Sequence, residues 1–282
     1  MATISDSQFP IPGRTGFIGG GNMARSLIGA LIRCGTPPDA IAVGEPNAEL
    51  RGMLARDFGI DAHDDARDAA QGANVLVLAV KPQVMKAVCR DLAAIVAGTR
   101  PLILSIAAGI RIAQLREWLG SELAIVRAMP NTPALIGAGA SGLLANVTAN
   151  AGQRAQAEAI LGAAGRTAWI HREELMDTVT ALSGSGPAYF FLLVEALEDA
   201  AVAQGMPRET ARALATQTCL GAGRMLIEED EPPAVLRERV TSPGGTTAAA
   251  LDAFAAGNLR RLVSEAVAAA TRRGRELSEQ YS

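Results

Sequence analysis

Gly16-Phe17-Ile18-Gly19-Gly20-Gly21-Asn22-Met23-Ala24 joins an apolar run to a helix-spaced apolar run through three consecutive glycines. Within it, Gly19-x-Gly21-x-x-Ala24 fits the G-x-G-x-x-G/A pattern. In that pattern the first glycine makes a tight turn, the second lets the backbone approach a pyrophosphate, and the third small residue allows close helix-to-strand packing. The spacing predicts a strand before Gly19 and a helix from Asn22 to Arg33, with unpaired N–H groups and a positive dipole end facing the phosphates. A glycine cluster alone suits an ordinary tight turn equally well, so the flanking sequence decides.

Ile41-Ala42-Val43-Gly44 reads as a second short strand and ends at Glu45, roughly twenty residues past the fingerprint, where an acidic side chain meets the ribose hydroxyls of an adenosine. Asn74-Val75-Leu76-Val77-Leu78-Ala79-Val80 is a continuous apolar run, as expected of a parallel strand buried on both faces, and it stops at Lys81-Pro82. Leu102-Ile103-Leu104-Ser105-Ile106 is another such run and ends in Ala107-Ala108-Gly109. Helical spacing fills the gaps from Glu49 to Phe58, with Gly59 as C-cap, and from Val84 to Val96, closed by Gly98. Strand and helix alternate, so the first half is expected to be α/β, a Rossmann-type doubly wound sheet over residues 1–170. Ligands of such sheets bind outside the carboxyl ends of the strands, where the glycine turn, Glu45, Lys81-Pro82 and Ala107-Ala108-Gly109 converge.

Beyond Arg166-Thr167-Ala168-Trp169-Ile170, read as the last strand, the apolar spacing becomes helical. Pro187 opens one helix ending at Gly205 and Pro207 opens another, with two more over Thr246 to Ala256 and Leu259 to Glu276. Residues 171–282 therefore read as an all-α domain. Its helices are too apolar around their circumference for a monomer surface and predict a dimer interface.

Composition narrows the function classes. The chain has 282 residues, enough for two domains with substantial cores. A net charge of −3 offers no basic face for nucleic acid, and no segment has the roughly eighteen uninterrupted apolar residues of a membrane span. Met1 to Pro12 lacks the long apolar core of a targeting signal. The three cysteines, Cys34, Cys89 and Cys219, are odd in number, lack metal spacing and are read as small apolar residues, which fits a reducing, cytoplasmic location.

Two glycine-serine turns interrupt the helical half, Ser183-Gly184-Ser185-Gly186-Pro187 and Thr241-Ser242-Pro243-Gly244-Gly245-Thr246-Thr247. Each puts hydroxyls and exposed N–H groups at a helix N-terminus, a geometry for holding a carboxylate or phosphate, although either alone is also a well-capped helix start. The two histidines, His63 and His171, are a domain apart, which argues against a histidine acid/base pair. Asp64, Asp65 and Asp68 read as a solvated helix cap in preference to a metal site. Arg127 and Met129, just ahead of a Pro-Asn-Thr-Pro turn, either line a nicotinamide site or pack at a strand end.

Six blocks together carry a family resemblance: Gly16 to Met23, Ala79 to Pro82, Ser105 to Gly109, Arg127 to Pro133, Ser183 to Tyr189, and Ser242 to Thr247. In this order they resemble the motifs of pyrroline-5-carboxylate reductases over residues 16 to about 270, the last three blocks being the most specific. The resemblance implies reduction of the cyclic imine 1-pyrroline-5-carboxylate to L-proline with hydride from NADPH or NADH. It implies cofactor contacts at Ile18, Gly19, Gly20, Gly21, Asn22 and Met23, at Glu45 near the ribose, at Ala79, Val80, Lys81 and Pro82, and at Ile106, Ala107 and Ala108 near the nicotinamide. Substrate contacts carry over to Glu173 beside the ring and to Ser242, Gly244, Gly245, Thr246 and Thr247, whose backbone N–H groups would hold the carboxylate, with Thr247 the candidate proton donor. It also implies intertwined helical domains in a homodimer, with higher homo-oligomers left open.

Two other readings remain. A β-hydroxyacid-type dehydrogenase shares the two-domain layout but uses a lysine early in its helical domain, whereas Lys81 and Lys86 are the sole lysines here. A non-catalytic dinucleotide-sensing protein would bind the coenzyme without turning over an imine, and would have no need of the second anion-holding turn. Coenzyme preference also stays open: Glu45 favours a free ribose over a 2'-phosphate, many relatives carry a small polar residue there, and the reach of Arg51 is not legible.

Overall fold

Thr15–Ile18 (β1) runs into the glycine turn and Asn22–Arg33 (α1) leaves it, as the fingerprint predicts. The computed structural model describes residues 13–120 and 122–281, so the Met1–Pro12 expectation lies outside the described residues. The chain continues through Ile41–Gly44 (β2), Ala48–Phe58 (α2), Asp61–His63 (β3), Ala66–Ala70 (α3), Val75–Leu78 (β4), Pro82–Thr99 (α4), Leu102–Ser105 (β5), Ile112–Leu119 (α5) and Ile125–Met129 (β6). Gly139–Ala145 (β7), Ala151–Gly162 (α6) and Gly165–Trp169 (β8) complete the sheet. Its order is β3-β2-β1-β4-β5-β6-β7-β8, with every pairing parallel except β6 with β7.

Burial on both faces explains the unbroken apolar strands. Along β4, Val75 and Val77 join the core cluster built with α1 and α6, while Leu76 and Leu78 join the opposite cluster with α4 and α5. Each fully covered Leu, Ile or Val contributes about 1.5–3 kcal/mol relative to an exposed one. Element ends follow local chemistry. Asn47 caps α2 by accepting from Leu50 N–H at 3.0 Å, and Gly59, at φ 68°, closes it as expected. Asp65 caps α3, which makes the Asp64–Asp68 run a helix start, and no group of metal-binding side chains occurs among the described residues. Helix α4 outruns its expected end: Gly98 lies inside it, in open space, and Arg100 at φ 47° forms the cap.

After β8 come a short 3-10 turn at Glu173–Leu175, Met176–Val179 (α7) and a π-helical stretch, Thr180–Gly184. The helical half then holds Gly186–Ala203 (α8), Arg208–Glu228 (α9), Pro233–Arg239 (α10), Thr246–Ala256 (α11) and Leu259–Gln280 (α12).

The chain forms two compact units, one running to Gly184 and taking in Ala270 onward, the other spanning Ser185–Ala269. This division differs from the one expected at 170. The physical reason is that Met176 is fully buried in the sheet's core cluster and Ser278 on α12 bonds to Asp177, so both segments belong to the sheet. Within the second unit, α8 packs on α9 and Ala211 and Leu236 are its covered apolar side chains among the described residues. Phe190, Phe191 and Leu192 are 59%, 68% and 64% exposed, so this unit lacks a closed core of its own.

Candidate active site

The glycine turn is built around close approaches. Gly19, at φ 96°, donates its N–H to Gly44 O at 2.8 Å, and a Cβ there would stand 2.9 Å from Ala79 O. Only glycine fits between the ends of β2 and β4. A Cβ on Gly20 would collide with Leu54 Cδ1 at 2.5 Å. Gly21, by contrast, faces open space and forms the N-cap of α1, with no side chain capping the helix. Ala24 is buried, as the third small position of the fingerprint requires.

An exposed, uncapped helix start behind glycines is a cradle for an anion, and a dinucleotide fits it. Ile18, Gly19, Gly20, Gly21, Asn22 and Met23 form that cradle. Because β1 lies between β2 and β4, the glycine turn divides the sheet edge in two, and the expectation puts an adenosine half over β2 and a nicotinamide half over β4 and β5. Glu45 stands at the first half, and Ala79, Val80, Lys81 and Pro82 with Ile106, Ala107 and Ala108 stand at the second. Lys81 is exposed and N-caps α4 without a side-chain hydrogen bond.

Glu45 is a buried residue whose carboxylate is already engaged. Oε2 accepts from Gly20 N–H at 2.8 Å and Oε1 accepts from Asn47 N–H at 2.8 Å. Arg51, whose reach the sequence left open, turns back on the chain: its Nη1 donates to Glu45 O at 2.9 Å and to Pro46 O at 3.2 Å.

On the same unit, the Arg127 guanidinium donates to Glu173, and only 4% of the Arg127 side chain is exposed against 29% for Glu173. Arg127 is register partner to Ser105, the last residue of β5, so this ion pair sits beside the start of the Ile106–Ala108 loop. Asn131 clamps the neighbouring segment, donating Nδ2–H to Ser183 O at 2.9 Å and accepting from Ala140 N–H at 2.8 Å. A Cβ on Gly184 would press within 2.7 Å of Met129 Cε. The structure thus joins two motifs that sequence reading treated separately, Arg127 to Pro133 and the first part of Ser183 to Tyr189.

The Ser242-Pro243-Gly244-Gly245-Thr246-Thr247 loop lies in the second unit. Gly244 takes φ 70°, Gly245 N–H donates to Ser242 O at 3.0 Å, and Gly245 N-caps α11 with no side-chain cap. Thr246 and Thr247 therefore open the helix with backbone N–H groups and hydroxyls together, the arrangement that accepts a carboxylate. His63 is half-buried at the end of β3 with its Nε2 covered, and its carbonyl accepts from Glu45 N–H at 2.9 Å. Of the cysteines, Cys89 is buried, which pushes its thiol up to about 12, whereas Cys34 is exposed and so does not pack as an apolar residue.

A Rossmann-type sheet with a glycine turn at an uncapped helix start, followed by a helical dimerisation domain, defines an NAD(P)-dependent oxidoreductase. Residues 173–277 match the family model described as pyrroline-5-carboxylate reductase dimerisation, and residues 14–109 match that of NADP oxidoreductase coenzyme F420-dependent. The pyrroline-5-carboxylate reductase of Pseudomonas aeruginosa is 50% identical over 267 residues, covering 95% of this chain and 97% of the relative. The solved pyrroline-5-carboxylate reductase of Coxiella burnetii superposes with a TM-score of 0.91 at 44% identity, covering 94% of this chain and 98% of that one. A Plasmodium falciparum pyrroline carboxylate reductase solved with NADP bound gives 0.81 at 30% identity, covering 95% of this chain and 98% of that one. The chain belongs to the pyrroline-5-carboxylate reductase family. Its activity is NAD(P)H-dependent reduction of 1-pyrroline-5-carboxylate, and the β-hydroxyacid and sensor alternatives are set aside.

Proposed function

We propose that the Ser242–Thr247 loop is the substrate grip of this reductase and that Thr247 assists protonation at the imine nitrogen. The observation that carries this assignment is the uncapped start of α11, where two threonines stand in the first turn behind Gly244 and Gly245. A carboxylate accepting the N–H groups of Thr246 and Thr247 fixes the ring next to the Thr247 hydroxyl, while the Gly245 N–H closes the loop onto Ser242 O. Ser242 and Gly244 shape the loop. The bound coenzyme supplies the hydride, received by the carbon of the C=N bond. A cyclic imine is readily protonated near neutral pH, so the protein needs less acid strength than a ketone reductase does. Positioning carries more of the rate. A threonine hydroxyl is too weakly acidic to act as a general acid by itself, and its part is to orient and relay by hydrogen bonding. Glu173, held by Arg127, is assigned to the ring side of the site.

In functional terms we assign residues 1–170 to the coenzyme and 171–282 to dimerisation and substrate binding, a division supported by the start of the dimerisation match at residue 173. We place the enzyme in the cytoplasm, where cysteines that remain free thiols suit a reducing medium. Its minimal assembly is a homodimer in which each active site draws on both subunits, and higher homo-oligomers built from such dimers are compatible with it.

Thr247→Ala tests the assignment. At saturating substrate, kcat is expected to fall about ten- to a thousandfold, the loss of one positioned polar group at a reacting centre. Unchanged turnover would remove Thr247 from the mechanism.

A further inference from the structure

Tyr281, the residue that directly follows α12, reaches the nicotinamide half of the sheet edge. Gln83 Nε2 donates to the Tyr281 hydroxyl at 3.1 Å, and Gln114 Nε2 donates to the Tyr281 carbonyl at 2.7 Å. Gln83 directly follows Pro82, on the first turn of α4, while Gln114 lies on the first turn of α5 and accepts from Arg111 N–H at 2.7 Å. Between them, the ring of Tyr281 lies against Gly109, where a Cβ would stand 3.5 Å from Cδ2 and Cε2. One residue thus touches the helix starts after both coenzyme loops, Ala79–Pro82 and Ile106–Ala108, and the backbone that links the second loop to α5. Three residues earlier, the hydroxyl of fully buried Ser278 shares its one proton between Gly274 O at 3.0 Å and Asp177 Oδ1 at 3.3 Å, which fixes the end of the helix that precedes Tyr281.

We propose that Tyr281 is a positioning residue for the coenzyme, a strut that holds the β4–α4 and β5–α5 loops at the spacing the nicotinamide half requires. The inference rests on the assignment of those loops to the nicotinamide. The two loops follow neighbouring parallel strands, and the strands fix where each loop begins but not where it ends. Their far ends are the first turns of α4 and α5. Gln83 and Gln114 sit there, and the phenol and carbonyl of one tyrosine tie them together. Such a strut orders the loops before the ligand arrives, so less ordering cost falls on binding. The hydrogen bonds at the glycine turn and Glu45, from Gly20 and Asn47, involve neither glutamine, so the proposal leaves the adenosine half independent of the strut.

Two variants and two ligands separate this role from general stability. Tyr281→Ala removes ring and hydroxyl but leaves the carbonyl gripped by Gln114, and Tyr281→Phe restores the ring alone. Affinity for NADH and NADPH, read by fluorescence titration of the dimer, is expected to fall about tenfold in Tyr281→Ala and about threefold in Tyr281→Phe, the latter the loss of one neutral hydrogen bond. ADP-ribose, which lacks the nicotinamide, is expected to bind both variants as it binds the parent. Unchanged NAD(P)H affinity in Tyr281→Ala overturns the strut, and so does an equal loss of ADP-ribose affinity. If Tyr281→Ala does not yield a folded dimer, Tyr281→Phe decides by the same two ligands. Failure of the underlying coenzyme site would show in the parent itself, as no gain in affinity from ADP-ribose to NAD(P)H.

Discussion

Glu45 shows how one carboxylate serves two ends. Its oxygens accept N–H groups from Gly20 in the glycine turn and from Asn47 at the start of α2, so it braces that turn at the place where the ribose is expected. A carboxylate held there repels a 2'-phosphate, and Arg51, engaged with the Glu45 and Pro46 carbonyls, points its Nη1 at the backbone. On these local electrostatics we expect NADH to be favoured over NADPH, and a variant at Glu45 tests it. Glu45→Ser is expected to move the ratio of kcat/KM for NADPH over NADH upward by about tenfold or more, one removed charge repulsion, while raising KM for both as the brace on Gly20 is lost. Parallel oxidation of the two coenzymes at fixed imine concentration measures the ratio, and an unmoved ratio contradicts the assignment. The position of Glu45 was legible because strand, turn and spacing are local. Its double hydrogen bond was not, since Gly20 and Glu45 meet only when β1 and β2 pair.

At the level of elements, the hairpin of α8 and α9 carries an ion-pair cluster in which exposed arginines cover one carboxylate. Glu198, covered from solvent, accepts from Arg212 Nε at 3.0 Å and from Arg208 Nη1 at 2.7 Å, and Arg208 also reaches Asp199 at 2.8 Å. The Arg212 hydrogen bonds, then that of Arg208, hold the Glu198 carboxyl below its ordinary value of 4.5. A carboxylate with a lowered folded-state pKa contributes stability that is fully present above 4.5 and is lost as pH falls through the lowered value. Glu198→Gln should therefore lower Tm most at neutral pH, with the gap to the parent closing on acidification below the ordinary carboxylate range. A gap independent of pH would show that Glu198 acts by shape alone. Which elements the sequence disclosed follows from the same physics. Strands β4 and β5 were legible because they are covered on both faces and spelled in Val, Leu and Ile. Strand β7 was not, because close packing chose its residues: a Cβ on Gly139 would meet Ala164 O at 2.8 Å and one on Gly142 would meet Val179 Cγ1 at 2.6 Å. The end of α4 was misread because Gly98 is tolerated inside the helix and the αL cap falls to Arg100.

For the whole molecule, the two units divide the work as they divide the apolar surface. The sheet unit closes two cores of its own, whereas the helical unit leaves Phe190, Phe191, Leu192, Leu262 and Val263 largely exposed, as a surface awaiting a second copy does. The alternation of strand and helix gave the first unit away in the sequence. The return of α12 to the sheet did not, because Tyr281 meets Gln83 across 198 positions with no local pattern to announce it. The glycine turn and the Ser242–Thr247 turn were readable separately, and the reaction of the family is transfer of hydride from a reduced nicotinamide to a cyclic imine. The most direct measurement supplies 1-pyrroline-5-carboxylate to the purified dimer with NADH or NADPH and follows coenzyme oxidation together with proline formation. Loss of reduced coenzyme matched mole for mole by L-proline is the predicted result. Tight coenzyme binding with no consumption when the imine is supplied would contradict it.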